Sequence, residues 1–155
     1  MEVSGIMTTD VVTVGPEYNV ADVASLMDAR GIGSVIVLED DRVLGILTER
    51  DILRVIGQGE DPKNVAAHEA LTDDLITIGP NASVEEAART MVNAKVRHLP
   101  VISEAGLIGI CSMRDLVRWS VHDMVGGVEP DRIELSGQVL SLVHPVPGEP
   151  PPERA

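Results

Sequence analysis

Moved forward by 64 positions the chain reads onto itself: TTDVVTVGPEYNVADVASLM (8–27) lies over TDDLITIGPNASVEEAARTM (72–91) without a gap. The register holds as far as Arg54 over Arg118, and pairs Thr8 with Thr72, Thr13 with Thr77, Gly15-Pro16 with Gly79-Pro80, Met27 with Met91 and Gly45 with Gly109. Each copy is close to the lower limit of what buries a core alone. The two copies are therefore expected to pack together.

Both copies carry the same local signals. VVTV is an extended run stopped by Gly15-Pro16, and NVADVASLMDARG then places Val20, Val23, Ala24 and Met27 at helical spacing. Asn19 reads as the helix cap and Gly31 as its end, while Ser83 and Glu86 form a capping-box pattern in the second copy. SVIVL and RVLGIL, separated by the acidic turn EDD, read as a hairpin of buried strands, and after Thr48 the spacing of Ile52, Leu53 and Ile56 turns helical. The predicted class is α/β (α+β), with two β-α-β-β-α repeats. The first repeat is expected over 1–58, a linker over 59–64 within GQGEDPKN, and the second repeat over 65–122. Residues 123–155 read as a C-terminal extension with IELSGQVLSLV as its apolar stretch and a partly disordered, Pro-rich tail.

Composition excludes several classes. A formal charge of −13, with one Trp, one Tyr and no Phe, argues against a direct nucleic-acid partner. No apolar run approaches the ~18 residues of a membrane span, and the N-terminus MEVSGIMTTD lacks the pattern of a secretory signal, so a cytoplasmic location is expected. The lone Cys111 sits in an apolar run opposite Leu47 of the first copy and reads as a strand core residue.

The chemistry sits where GILTERDI (45–52) returns as GICSMRDL (109–116). Thr48 with Asp51, and Ser112 with Asp115, are S/T-x-x-D pairs ahead of apolar runs, the pattern of a helix N-terminal cap worth about 1 kcal/mol. Gly45 and Gly109 interrupt strands, which suits a close approach by another backbone or a ligand. A helix start with a hydroxyl favours an anion, and a carboxylate one turn in can accept both hydroxyls of a ribose. The combination fits a ribose phosphate, with Val35 and Leu99 as an apolar slot for a base. Of 12 Lys and Arg residues, Arg50, Arg54, Arg97, Arg114 and Arg118 fall in or beside these segments. At physiological salt, charges beyond about 8 Å are screened, so these local arginines outweigh the net charge. Plain i,i+3 pairing of Asp51 with Arg54 and Asp115 with Arg118 is the competing explanation for them.

Taken together, IMTTDVVTV, the Gly-Pro that follows, LMDARGIGSVIVL, GILTERDIL and VRHLPV resemble a tandem cystathionine-β-synthase (CBS) domain pair, or Bateman module, over roughly residues 3–120. The resemblance implies two units related by a pseudo-two-fold axis, with clefts for adenosine-containing ligands. It implies that Asp51 and Asp115 hold ribose hydroxyls and that Thr48 and Ser112 meet phosphate. Thr8 with Val11, and Thr72 with Leu75, would border the base. Arg97 and His98, followed by Leu99 and Pro100, match the basic pair that reaches phosphates across the cleft. The first copy has Gly33-Ser34 at that place, so the clefts should differ in charge. The resemblance also implies a homodimer, to which Ile52, Leu53, Leu116 and Val117 would contribute, and an enzyme or transporter as the regulated partner.

Three functions follow. The leading expectation is a non-catalytic sensor of AMP, ADP, ATP or another adenosyl molecule, with no required cofactor and with any Mg²⁺ brought by the nucleotide. The alternative is a ligand-free scaffold or dimerisation module that keeps the motif only as a cap. An enzyme is the weakest reading, because His68, His98, His122 and His144 show no metal-binding spacing and neither a nucleophile elbow nor a Walker loop is present.

Overall fold

The computed structural model describes residues 1–124. The first copy contains β1 (Thr13–Val14), α1 (Val20–Arg30), β2 (Ser34–Glu39), β3 (Arg42–Thr48) and α2 (Glu49–Gly57). A single helical turn, α3 (Ala67–Ala70), precedes α4 (Val84–Ala94), β4 (His98–Ser103), β5 (Gly106–Ser112) and α5 (Met113–Met124). The extension expected at 123–155 lies, from residue 125 on, outside the described residues.

The repeat seen in the sequence recurs in the hydrogen bonds. β2 pairs antiparallel with β3 and β4 with β5, with a register irregularity at Val37/Leu38 in one hairpin and at the equivalent Val101/Ile102 in the other. β1 runs parallel to β2, pairing Val14 with Val37, whereas its counterpart is reduced to one bridge between Ile78 and Val101. The acidic turn EDD closes the first hairpin with Asp40 and Asp41 at φ 46° and 63°, the left-handed backbone that two-residue hairpin loops require. Asn19 and Ser83 accept hydrogen bonds from the amides of Asp22 and Glu86, capping α1 and α4.

Each copy completes the other through its leading segment. In the first copy, Val20 N–H donates to Val65 and Ala67 N–H donates to Tyr18, while Thr72 and Ile46 exchange bonds of 2.9 and 3.1 Å. The equivalents, shifted by 64, are Val84 to Met1, Val3 to Ala82, and Thr8 with Ile110 at 2.9 Å both ways. The leader of the second copy therefore packs on the first, and the leader of the first on the second. Ala67 and Ala70 belong to the same core cluster as Val23, Met27, Val35, Val37 and Leu47. Ile52 packs against that core and Leu116 is buried, so of the four residues expected at a dimer face only Leu53 and Val117 are exposed.

The exchange explains the two strand glycines. A Cβ on Gly45 would stand 2.5 Å from the exchanged backbone at Thr72 O, and one on Gly109 would stand 2.6 Å from Met7 Sδ and 3.0 Å from Thr8 O, so in both copies the exchanged leader fills the space. Gly45→Ala should thus lower stability by about 1–3 kcal/mol through overpacking. Gly57→Ala, with nothing within 4 Å, should leave it unchanged or slightly raised. Urea unfolding midpoints of the two variants check this, and equal midpoints would contradict it.

Candidate functional site

The start of α2 is organised around one carboxylate. Thr48 is the cap residue, with extended backbone, and both its N–H and its Oγ1 donate to Asp51 Oδ2 at 2.8 Å. Oδ1 receives Arg54 Nη1 at 2.9 Å and the Thr72 hydroxyl at 3.3 Å. Asp51 is only 3% exposed, yet its oxygens are fully engaged. The i,i+3 pairing expected of Arg54 is therefore present. Arg54 does more than pair with Asp51, however, since its Nη2 also donates to Ala70 O at 2.7 Å.

Asp51 opens into a cavity of about 320 Å³. Thr48 and Asp51 line it from the first copy, and Thr72, Leu75, Arg97, His98 and Pro100 line it from the second. Arg97 and His98 thus line the same cavity as the first copy's motif. Ile46, Ile76 and Val96 give it an apolar wall, and Arg50 and Lys95 also face it. Four permanent cations, Arg50, Arg54, Lys95 and Arg97, stand against two carboxylates, Asp51 and Asp74. A −13 chain has gathered a third of its 12 basic residues around one cavity.

Lys95 was not singled out from sequence. It ends α4 in the left-handed conformation, φ 56°, where the first copy has Gly31 at φ 61°. A non-glycine residue there costs about 1 kcal/mol or more. The signal was available as a Lys in the register position of a C-terminal Gly. His98 is half-buried, and burial, followed by the charge of Arg97, pushes its pKa below the usual 6.5, with Glu49 and Asp115 opposing and Arg114 reinforcing. The imidazole is accordingly neutral at pH 7. Arg97 and Glu49 form a 3.4 Å pair between the copies.

Val35 and Leu99 do not form the base slot. They are 1% and 0% exposed and pair in register with Leu47 and Cys111. Side chains alternate along a strand, so in β4 His98 and Pro100 take the cavity side while Leu99 takes the core side. Cys111 is fully buried as expected, and burial together with Asp115 pushes its thiol up to about 12.

The second copy repeats the cap. Ser112 N–H and Oγ donate to Asp115 Oδ2, and Asp115 N–H donates to Ser112 Oγ at 3.3 Å. Thr8 is brought to β5 by its bonds to Ile110, and Val11 follows half-buried in the same segment. Where the first copy's motif meets Lys95, Arg97 and His98, the second has Gly31, Gly33 and Ser34 as the register equivalents.

The family model described as CBS domain matches residues 3–58 and again 67–122. The chain belongs to the CBS-domain family. A Methanopyrus kandleri protein is 36% identical over 121 residues, 76% of this chain and 62% of its own length, so the chain spans less than two thirds of that relative. A CBS domain-containing protein of Bacillus subtilis is 36% identical over 115 residues, 74% of this chain and 81% of its own length. The crystal structure of a CBS-domain protein from Agrobacterium tumefaciens aligns with TM-score 0.73 and 33% identity over 77% of this chain and 99% of that one. A CBS pair crystallised with 5′-methylthioadenosine and S-adenosyl-L-methionine aligns with TM-score 0.73 at 19% identity, over 79% and 98%, a likeness of fold.

Within this CBS pair, Asp51 is more than a cap. Replacing it removes the acceptor of three hydrogen bonds, two from Thr48 and one from Thr72 of the second copy's leader, and the anion of the Arg54 ion pair. Asp51→Ala should lower unfolding free energy by about 2–3 kcal/mol, above the ~1 kcal/mol of a surface cap. Chemical denaturation measures this, and a loss of cap size only would contradict the network.

Proposed function

We propose that this CBS pair is a non-catalytic regulatory module whose first cleft binds an adenosine phosphate. The observation that supports it best is the convergence in one cavity of the Thr48–Asp51 helix start with Arg97, His98 and Lys95. In this reading Asp51 accepts ribose hydroxyls, the amides and hydroxyl at the start of α2 face a phosphate, and Arg97 and Lys95 neutralise it. Ile46, Leu75, Ile76, Val96 and Pro100 sandwich the base. The size is right, since small-molecule pockets begin at about 300 Å³. The adenosyl ligands of the 19%-identical CBS pair belong to that protein, and agree with the class of ligand proposed.

The ligand acts by binding one arrangement of the copies more tightly than another. Leu53 and Ile56, 68% and 54% exposed on α2, are the proposed homodimer face, and the regulated enzyme or transporter is engaged by the same module. No helix among the described residues is long and apolar enough to cross a membrane, and a cytoplasmic location is proposed. The scaffold reading is favoured by one observation: Asp51 is already satisfied without a ligand.

Thermal unfolding with AMP separates the two. At ligand one hundred times its dissociation constant, the sensor gains about 2.7 kcal/mol and the scaffold gains nothing. Lys95→Gly offers a sharper test, because relief of the left-handed strain should raise stability by about 1 kcal/mol while AMP binding weakens. Unchanged AMP affinity in that variant would remove Lys95 from the site.

Binding should also depend on pH. A bound phosphate raises the His98 pKa from its lowered value, so the complex takes up a proton. AMP affinity should rise as pH falls from about 7 to 6, by at most tenfold per unit. Calorimetric titrations of the parent and His98→Gln check this, the variant being expected to lack the rise. The same pH dependence in the parent and in His98→Gln would contradict the placement of His98.

A further inference from the structure

Asp51 and Asp115 occupy equivalent positions but are not equally available to a ligand. A carboxylate has about four acceptor positions. In Asp51 three are taken by hydrogen bonds, two from Thr48 and one from Thr72, and Arg54 stands on Oδ1 as an ion pair at 2.9 Å. In Asp115, Oδ2 accepts from Ser112 N–H and Oγ, and within residues 1–116 no hydrogen bond reaches Oδ1. A diol arriving at Asp115 meets no cation from residues 1–116 on Oδ1. At Asp51 it finds a guanidinium.

We propose that Arg54 is the specificity-determining residue of the first cleft: a displaceable counter-ion to Asp51 that makes the cleft select adenosine phosphates over uncharged nucleosides. This rests on the adenosine-phosphate reading of the same site. Two hydroxyls of a ribose can replace Thr72 and Arg54 at Oδ1, but they bring no charge. A carboxylate that is 3% exposed is then left without its cation, an arrangement proteins strongly disfavour. A neutral nucleoside gives nothing back for that loss. A phosphorylated one does, because Arg54 lines the same cavity as Arg50, Lys95 and Arg97 and can re-pair with the phosphate once it lets go of Asp51.

The geometry suits release. The Arg54 side chain is 45% exposed against 4% for that of Asp51, so leaving the pair takes the cation towards water and not through the core. Its second anchor, Ala70 O, is a backbone carbonyl of the exchanged leader. Displacement therefore also unties α2 from the segment that links it to the second copy.

The test compares adenosine and AMP by calorimetry in the parent, Arg54→Gln and Arg54→Lys, following the site that disappears in Asp51→Asn. In the parent, AMP should bind more tightly than adenosine. In Arg54→Gln adenosine should gain affinity and the AMP preference should shrink by about tenfold or more, with Arg54→Lys keeping most of it. Adenosine affinity that is unchanged or lower in Arg54→Gln overturns the proposal. Should that variant not fold, ¹⁵N NMR of the parent decides. The Arg54 Nε–Hε signal, recognised as the one missing in Arg54→Lys, should shift when AMP saturates the protein, and a stationary signal overturns the proposal. If neither compound binds the parent, both this inference and the adenosine-phosphate reading fall. If both bind, and only Asp51→Asn matters, the inference alone falls.

Discussion

The structure depends on an exchange of backbone hydrogen bonds between two copies of one sequence. Thr72 pairs with Ile46 and Thr8 with Ile110, and in each case the partner strand carries a glycine because a methyl group would strike the incoming leader, at the Thr72 carbonyl in one copy and at the Met7 side chain in the other. The exchange adds core to copies that are each close to the lower limit of what buries one alone. Ala67 and Ala70, from the second copy, fill the core of the first. It also sets the site. The leader that completes the first core carries Thr72 directly to Asp51 and Ala70 O to Arg54. A cleft with one wall from each copy follows from the exchange.

Duplication alone would give two identical clefts, and the side chains have broken that symmetry. Lys95, Arg97 and His98 stand where Gly31, Gly33 and Ser34 stand in the other copy. Two of these choices work against the fold. Lys95 takes a left-handed backbone that glycine takes without strain, and His98 is partly desolvated beside a cation. Local departures from the rules that stabilise a fold tend to gather where function is. The concentration of both around one cavity is the physical reason to regard the first cleft as the more specialised.

Much of this was legible in the chain. The self-alignment predicted the repeat, the caps at Asn19 and Ser83 and the hairpins, because all are set by local residue chemistry. The convergence of Thr48 and Asp51 with Arg97 and His98 could be expected only through the resemblance, since no local signal says which copy faces which. Val35 and Leu99 were misplaced because an apolar strand buried on both faces shows no alternation, so nothing in SVIVL tells the core side from the cleft side. The exchange of leaders was not legible, although the strand glycines marked where another backbone would come. Lys95 escaped because a single basic residue after a helix also reads as a partner of the helix dipole. The fourfold engagement of Asp51 needs three elements brought together, which no spacing in the sequence records.

The central claim is that the cavity around Asp51 receives a sugar-linked phosphate. The most direct measurement is a crystal structure grown with AMP. The account predicts both ribose hydroxyls on Asp51, the phosphate among Arg97, Lys95 and the start of α2, and the base against Ile46 and Ile76. A nucleotide seated elsewhere, with Arg54 and Thr72 still bonded to Asp51 and the cavity unchanged, would contradict it.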